Sequence, residues 1–178
     1  MIFIMLFWQN KIINQNIKDR IYEDTVATEI ERKFLLKEDT WRRSEKAIKC
    51  RQGYLCNTKE KTVRVRTMDH KGYLTIKGGS VGASRLEFEY EIPYRDAAIL
   101  LSLCENPLIE KNRYKLEEKG FTWEVDEFFG ENKGLVIAEV ELDSEDQVFP
   151  KPEWIGEEVT GDPRYYNANL IKNPYTKW

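Results

Sequence analysis

In five stretches of this chain, charged side chains of one sign recur at alternate positions, and a sixth stretch sets a lysine two places from a threonine. Glu29, Glu31 and Lys33 form the first row. Arg64 with Arg66, Lys77 beside Thr75, Glu87 with Glu89 and Glu91, Lys111 with Arg113, and Glu139 with Glu141 form the others. Alternate positions of a strand project to one face. The intervening positions are mostly apolar: Ile30 and Phe34, Val63 and Val65, Leu74 and Ile76, Leu86, Phe88 and Tyr90, Asn112 and Tyr114, and Ala138, Val140 and Leu142. Each such strand has one face for a core and one charged face.

A solvated face accounts for any one row, but six together need another explanation. Like charges at i and i+2 stand only about 6.5 to 7 Å apart along a strand. A like pair 4 Å apart at an effective dielectric near 20 costs on the order of 4 kcal/mol. Solvent faces mix Ser, Thr, Gln and Lys and avoid that arrangement. Acidic rows are compensated by hard divalent cations, which take carboxylate oxygens, and basic rows by phosphate oxygens, which arginine grips bidentately. An interior carrying both kinds of row fits a metal-bound polyphosphate. Glu29 and Glu31 are expected to reach inward as metal-binding carboxylates, with Lys33 beside them on the phosphates.

Extended segments are expected at 27–36, 49–56, 61–68, 72–78, 84–93, 108–118, 121–129 and 134–144. The turn chemistry of "DHKG", "GGSVGAS", "EEKG" and "GENKG" falls between them. Helical spacing appears in "KEDTWRRSEK", "YRDAAILLSLCE" and "PRYYNANLIK". The expected fold class is α+β, an eight-stranded antiparallel β-barrel with a few flanking helices, since closure removes the sheet edges. The middle helix, with Ala97, Ala98, Leu100 and Leu101, is expected to cover the outer face, and Trp123 and Trp154 to pack there. The segment with Tyr165, Tyr166 and Leu170 is expected to pack against the barrel or to close one end of it.

One domain is the default at 178 residues with 41% hydrophobic content. A net charge of -3 argues against a partner that is a nucleic acid polymer or a membrane surface. Cys50, Cys56 and Cys104 are odd in number and lack metal-site spacing, as reduced thiols of a cytoplasmic protein do. The single histidine, His70, sits in the turn-like "MDHKGY" and reads as a solvated loop residue rather than a catalytic base. "MIFIMLFW" is too short to span a bilayer and lacks a cleavage site. Valine codons can start bacterial translation, and Val26 directly precedes the first row. Residues 1–25 are therefore taken as an N-terminal extension, disordered or outside the natural start, and 26–178 as the domain. A membrane-contacting arm is the rival reading of the extension.

The segment "EIERKF" matches the ExExK signature of the CYTH domain, or triphosphate tunnel metalloenzyme, family. The resemblance continues in order through "RVR", "TIKG", "RLEFEYEI", "EKNRY", "WEVDEF" and "AEVEL", from residue 27 to about 170. It implies an eight-stranded tunnel that binds triphosphates with Mg²⁺ or Mn²⁺, two ions when substrate is bound. Carried over residue by residue, it implies that Lys33, Arg64, Arg66, Lys77, Lys111 and Arg113 bind phosphate. Glu29, Glu31, Glu87, Glu89, Asp126, Glu139 and Glu141 become the pool of metal ligands and water-positioning carboxylates, with Glu29, Glu31 and Lys33 catalytic. Glu91 and Lys115 are placed at the tunnel mouth. The chain resembles the short bacterial branch, for which hydrolysis of inorganic tripolyphosphate to diphosphate and phosphate is expected. The family's adenylate cyclase and thiamine triphosphatase activities, and a non-catalytic polyphosphate or nucleotide sensor, are the alternatives. A small-molecule triphosphate is the expected partner, and a homodimer is compatible with the sequence.

Overall fold

The period-2 rows become strands. The computed structural model describes residues 30–42, 46–58, 60–78 and 87–178. Glu29, the N-terminal extension, residues 79–84 of "GGSVGAS" and residues 84–86 of the fifth expected strand lie outside the described residues. Nine strands form one antiparallel sheet: β1 (Ile30–Leu36), β2 (Ile48–Asn57), β3 (Lys61–Met68), β4 (Lys71–Gly78), β5 (Glu87–Ile92), β6 (Ile109–Glu118), β7 (Phe121–Phe128), β8 (Val136–Leu142) and β9 (Ile155–Glu158). Their order is β5-β4-β3-β2-β6-β7-β8-β1-β9. The α+β class holds, with one short strand more than the eight expected. Among the described residues the ladder runs from β5 to β9 without closing between them.

Register joins the charged rows into one face. Glu31 lies opposite Glu141 and Lys33 opposite Glu139, Thr75 opposite both Arg64 and Glu89, and Arg113 opposite Asp126. Directly opposed residues share a face. The other face carries the core. Phe34, Leu116, Trp123, Val125, Ala138 and Val140 are buried there with Trp41, Trp154 and Ile155. Phe149 sets its ring about the same distance from three others, 6.1 Å from Phe34, 6.1 Å from Phe121 and 5.9 Å from Trp123.

Helix α1 (Tyr94–Leu101) covers the outer face of β2 to β4. It buries Ala97 and Leu101 against Val65 and Cys104, while Ala98 is exposed. Gly72 permits this approach: a Cβ there would stand 2.6 Å from the Ala97 Cβ and 2.9 Å from the Ile92 carbonyl oxygen. Gly72→Ala is therefore expected to lower stability by about 1 to 3 kcal/mol through overpacking, read as a reduced urea midpoint.

No helix forms at 37–42, the described part of the first helical expectation. That stretch is bent instead, because Trp41 is buried against Tyr114, ring centroids 5.2 Å apart, and Arg42 pairs with Glu127 at 2.7 Å. His70 is exposed in the β3–β4 turn, and all three cysteines are free. Among the described residues no helix is long and apolar enough to cross a membrane.

The charged face ends in an apolar region. On β6 the row Arg113, Lys111 is continued by Ile109, on β8 the row Glu141, Glu139 by Ile137, and on β7 Asp126 by Phe128. These three are buried with Tyr54 against Val159, Tyr165, Leu170 and Ile171. The last two flank the end of the short helix α2 (Asn167–Leu170). The segment 159–171 thus packs over one end of the charged face, with Tyr165 and Leu170 buried as expected and Tyr166 exposed instead.

Candidate active site

Strands β5 and β8 stand six places apart in the sheet, yet both border one cavity of about 460 Å³, which requires the sheet to curl around it. Its lining is Glu31, Lys33, Gln52, Arg64, Arg66, Lys77, Glu87, Glu89, Lys111, Arg113, Glu139, Glu141 and Asn167: six basic, five acidic and two amide side chains. A second cavity of about 500 Å³ shares Glu31, Arg66, Glu89, Arg113, Glu139 and Glu141 and adds Met68, Tyr73, Lys115, Thr122 and Glu124. The shared walls make the two cavities parts of one channel. Lys115 belongs to its second part, as placed from sequence, whereas Glu91 pairs with Lys71 at 3.0 Å and lines neither.

Eleven sequence-predicted site residues meet here. Glu29 lies outside the described residues, and Asp126 stands apart from the cavity walls. It is 1% exposed and lines neither cavity. Its Oδ2 accepts from Lys111 Nζ at 2.5 Å and Arg113 Nη2 at 2.6 Å, and its Oδ1 from Arg113 Nε at 2.7 Å. Burial works to raise the Asp126 pKa, but the adjacent ammonium of Lys111 and guanidinium of Arg113 outweigh it and hold the carboxyl at about 2. Both oxygens of this carboxylate are engaged by the two cations, Lys111 and Arg113.

The anchored cations join a wider network. Arg113 also donates to Glu139 at 2.9 Å and pairs with Glu124. Lys33 pairs with Glu139 and, at 2.8 Å, with Glu31. Burial works against the Lys33 charge, but the carboxylates of Glu139 and Glu31 keep its pKa above the ordinary value.

The facing side of the channel is richer in unused cation. Arg64 and Arg66 converge on Glu89, at 3.3 Å and 3.0 Å, and Thr75 donates to the same carboxylate at 2.6 Å. Lys77 pairs with Glu87 at 2.6 Å. One carboxylate thus faces two guanidiniums, and the buried Nε atoms of both arginines have no hydrogen-bond partner. Burial, and after it the like charge of Arg64, pushes the Arg66 pKa below its ordinary value. Two crowded guanidiniums with donors to spare have the chemistry to take up an anion.

The acidic counterpart lies across the channel. Glu31 and Glu141 are directly opposed on β1 and β8, a repulsive arrangement. Glu31 gives one oxygen to Lys33, and Glu141 has no ion pair among the described residues. Among those residues no group of three or more carboxylate, thiol or imidazole side chains is already gathered around a metal position. The pair Glu31 and Glu141 nonetheless offers the hard oxygen donors and uncompensated charge that a divalent cation requires.

Gln52 and Asn167 were missed. Gln52 is 1% exposed, opposite Arg66 on β3 and Ile109 on β6. Its row on β2 is Cys50, Gln52, Tyr54, with no repeated charge, while the charged Lys49 and Arg51 point the other way. Asn167 arrives from the C-terminal segment, and no periodicity marks it.

Comparison with known proteins agrees with this geometry. An inorganic triphosphatase of Acetivibrio thermocellus is 62% identical over 151 residues, covering 84% of this chain and 97% of that protein. An inorganic triphosphatase of Nitrosomonas europaea is 41% identical over 149 residues, covering 80% and 96%. The crystal structure of an inorganic triphosphatase matches with a TM-score of 0.63 at 36% identity, over 80% of this chain and 93% of that one. The model of the CYTH domain spans residues 27–175, all of the sheet and the segment that covers its end, so this chain belongs to the CYTH domain family.

Proposed function

We propose that this protein hydrolyses inorganic tripolyphosphate to diphosphate and orthophosphate within the channel, with Mg²⁺ or Mn²⁺ as the required ion. The observation that carries the reading is the convergence of six basic side chains on one cavity, with the Nε atoms of Arg64 and Arg66 unpartnered, across from the opposed Glu31 and Glu141. Arg64, Arg66 and Lys77 bind one part of the phosphate chain; Lys33, Lys111 and Arg113 bind the other and hold it in line. Asp126 keeps Lys111 and Arg113 aimed, so little reorganisation accompanies the reaction. Basic groups on both sides stabilise charge on the leaving diphosphate. Among the described residues, the wall of the first cavity carries no Ser, Thr, Cys or His, which favours direct attack by water over a covalent intermediate. A divalent ion, when bound, offsets phosphate charge and acidifies water; Glu31 and Glu141 would hold it, with Glu29 from the same sequence row.

A panel of tripolyphosphate, ATP, thiamine triphosphate and pyrophosphate, each with Mg²⁺ and with Mn²⁺, tests the reading. Orthophosphate and diphosphate from tripolyphosphate are expected, with turnover abolished by EDTA and restored by added ion. Pyrophosphate release from ATP would instead establish cyclisation, and tight binding without turnover a sensor.

A further inference from the structure

The two amides in the cavity wall differ from every other lining residue, and one of them comes from outside the sheet. Asn167 belongs to the segment that covers the apolar end of the charged face. Its neighbours fix it there: Tyr165, Leu170 and Ile171 are buried against Ile109, Phe128 and Ile137. The Asn167 Oδ1 atom is itself buried and has no hydrogen-bond partner. An amide held by packing at a polar cavity with its oxygen unpartnered has hydrogen-bonding capacity left over.

Rotation of a carboxamide about its last bond exchanges oxygen and NH₂ in nearly the same space. With a phosphate chain in the cavity, the NH₂ orientation presents two donors to phosphate oxygens. It does so without adding charge to a wall in which six cations already face five carboxylates. Gln52, the other amide, is buried in the same wall, and its Nε2 reaches the Tyr54 hydroxyl only at 3.5 Å.

Building on the triphosphate reading above, we infer that Asn167 is a substrate-binding residue: the C-terminal segment carries its amide to the phosphate chain and supplies one wall of the binding site. The segment then contributes directly to recognition as well as to packing.

Asn167→Ala and Asn167→Asp separate this role from a structural one. A packing role makes the near-isosteric Asp the milder change. A phosphate contact makes Asp the more harmful, because a carboxylate then faces phosphate. For Asn167→Ala the KM for tripolyphosphate is expected to rise roughly tenfold, with kcat within about twofold of the parent. Asn167→Asp should raise KM further, and neither change should move the thermal midpoint. Calorimetric titration of tripolyphosphate without divalent ion gives the same ordering in Kd. A KM and Kd within twofold of the parent in both variants, or Asp milder than Ala, overturns the inference while leaving the triphosphatase reading intact. Parent protein that binds tripolyphosphate without turning it over defeats the activity and leaves the inference to be decided by Kd; no binding at all defeats both.

Discussion

Glu31→Gln is expected to lower metal-dependent tripolyphosphate turnover about a thousandfold, while the unfolding midpoint stays unchanged or rises slightly. The two effects separate because, on the proposed function, Glu31 serves the metal ion at some cost to the fold. It stands directly opposite Glu141 on the neighbouring strand, and its side chain is 40% exposed on the channel. A Gln side chain removes one of two like charges, which relieves roughly 0.2 to 1 kcal/mol of cross-strand repulsion. Its carbonyl can still accept from Lys33. What is lost is anionic oxygen for a divalent cation, and Glu141→Gln should behave in the same way. Phosphate release and urea unfolding on one preparation measure both quantities. Full turnover in Glu31→Gln and Glu141→Gln would remove these carboxylates from the metal-binding role.

The same charge change at Asp126 has the opposite consequence. Asp126→Asn should cost about 3 to 5 kcal/mol of folding stability, because it takes the paired carboxylate from the buried Lys111 and one of three from Arg113. Activity should fall as well, since both cations lose their aim. Unfolding measured in EDTA discriminates: an Asp126 that acted only as a metal ligand would show little loss of stability there. The pH dependence follows from the direction of the shift. The Asp126 carboxyl sits at about 2 in the folded protein against an ordinary 3.8. The unfolded chain therefore binds the proton more readily. Stability from this group is complete above 3.8 and is lost as pH falls toward 2, an effect of roughly 2 kcal/mol. Asp126→Asn should flatten that part of the acid limb, which denaturant melts between about pH 5 and pH 2 would reveal.

Sequence made the charged face legible because a strand's period of two leaves no ambiguity once a row is recognised. Lys33, Arg64, Arg66, Lys111, Arg113, Glu139 and Glu141 could be assigned to one interior from parity alone. Depth could not be read in that way. Asp126 shares its face with Glu124, yet one lies beneath the channel and the other lines it, a difference set by Lys111 and Arg113 on the next strand. Gln52 escaped notice because its row on β2, Cys50, Gln52 and Tyr54, repeats no charge. β9 is only four residues long, "IGEE", and exists because the first strand offers it an edge. The helix expected after β1 gave way to the burial of Trp41, a tertiary demand that local spacing does not encode.

The position of the covering segment has a consequence for biosynthesis. Strands β1 to β8 leave the ribosome before residues 159–171 do, so a nascent chain can pair its main ladder while Ile109, Phe128 and Ile137 still face water. Until the later residues dock, the young protein offers a greasy opening to chaperones and to other unfinished chains.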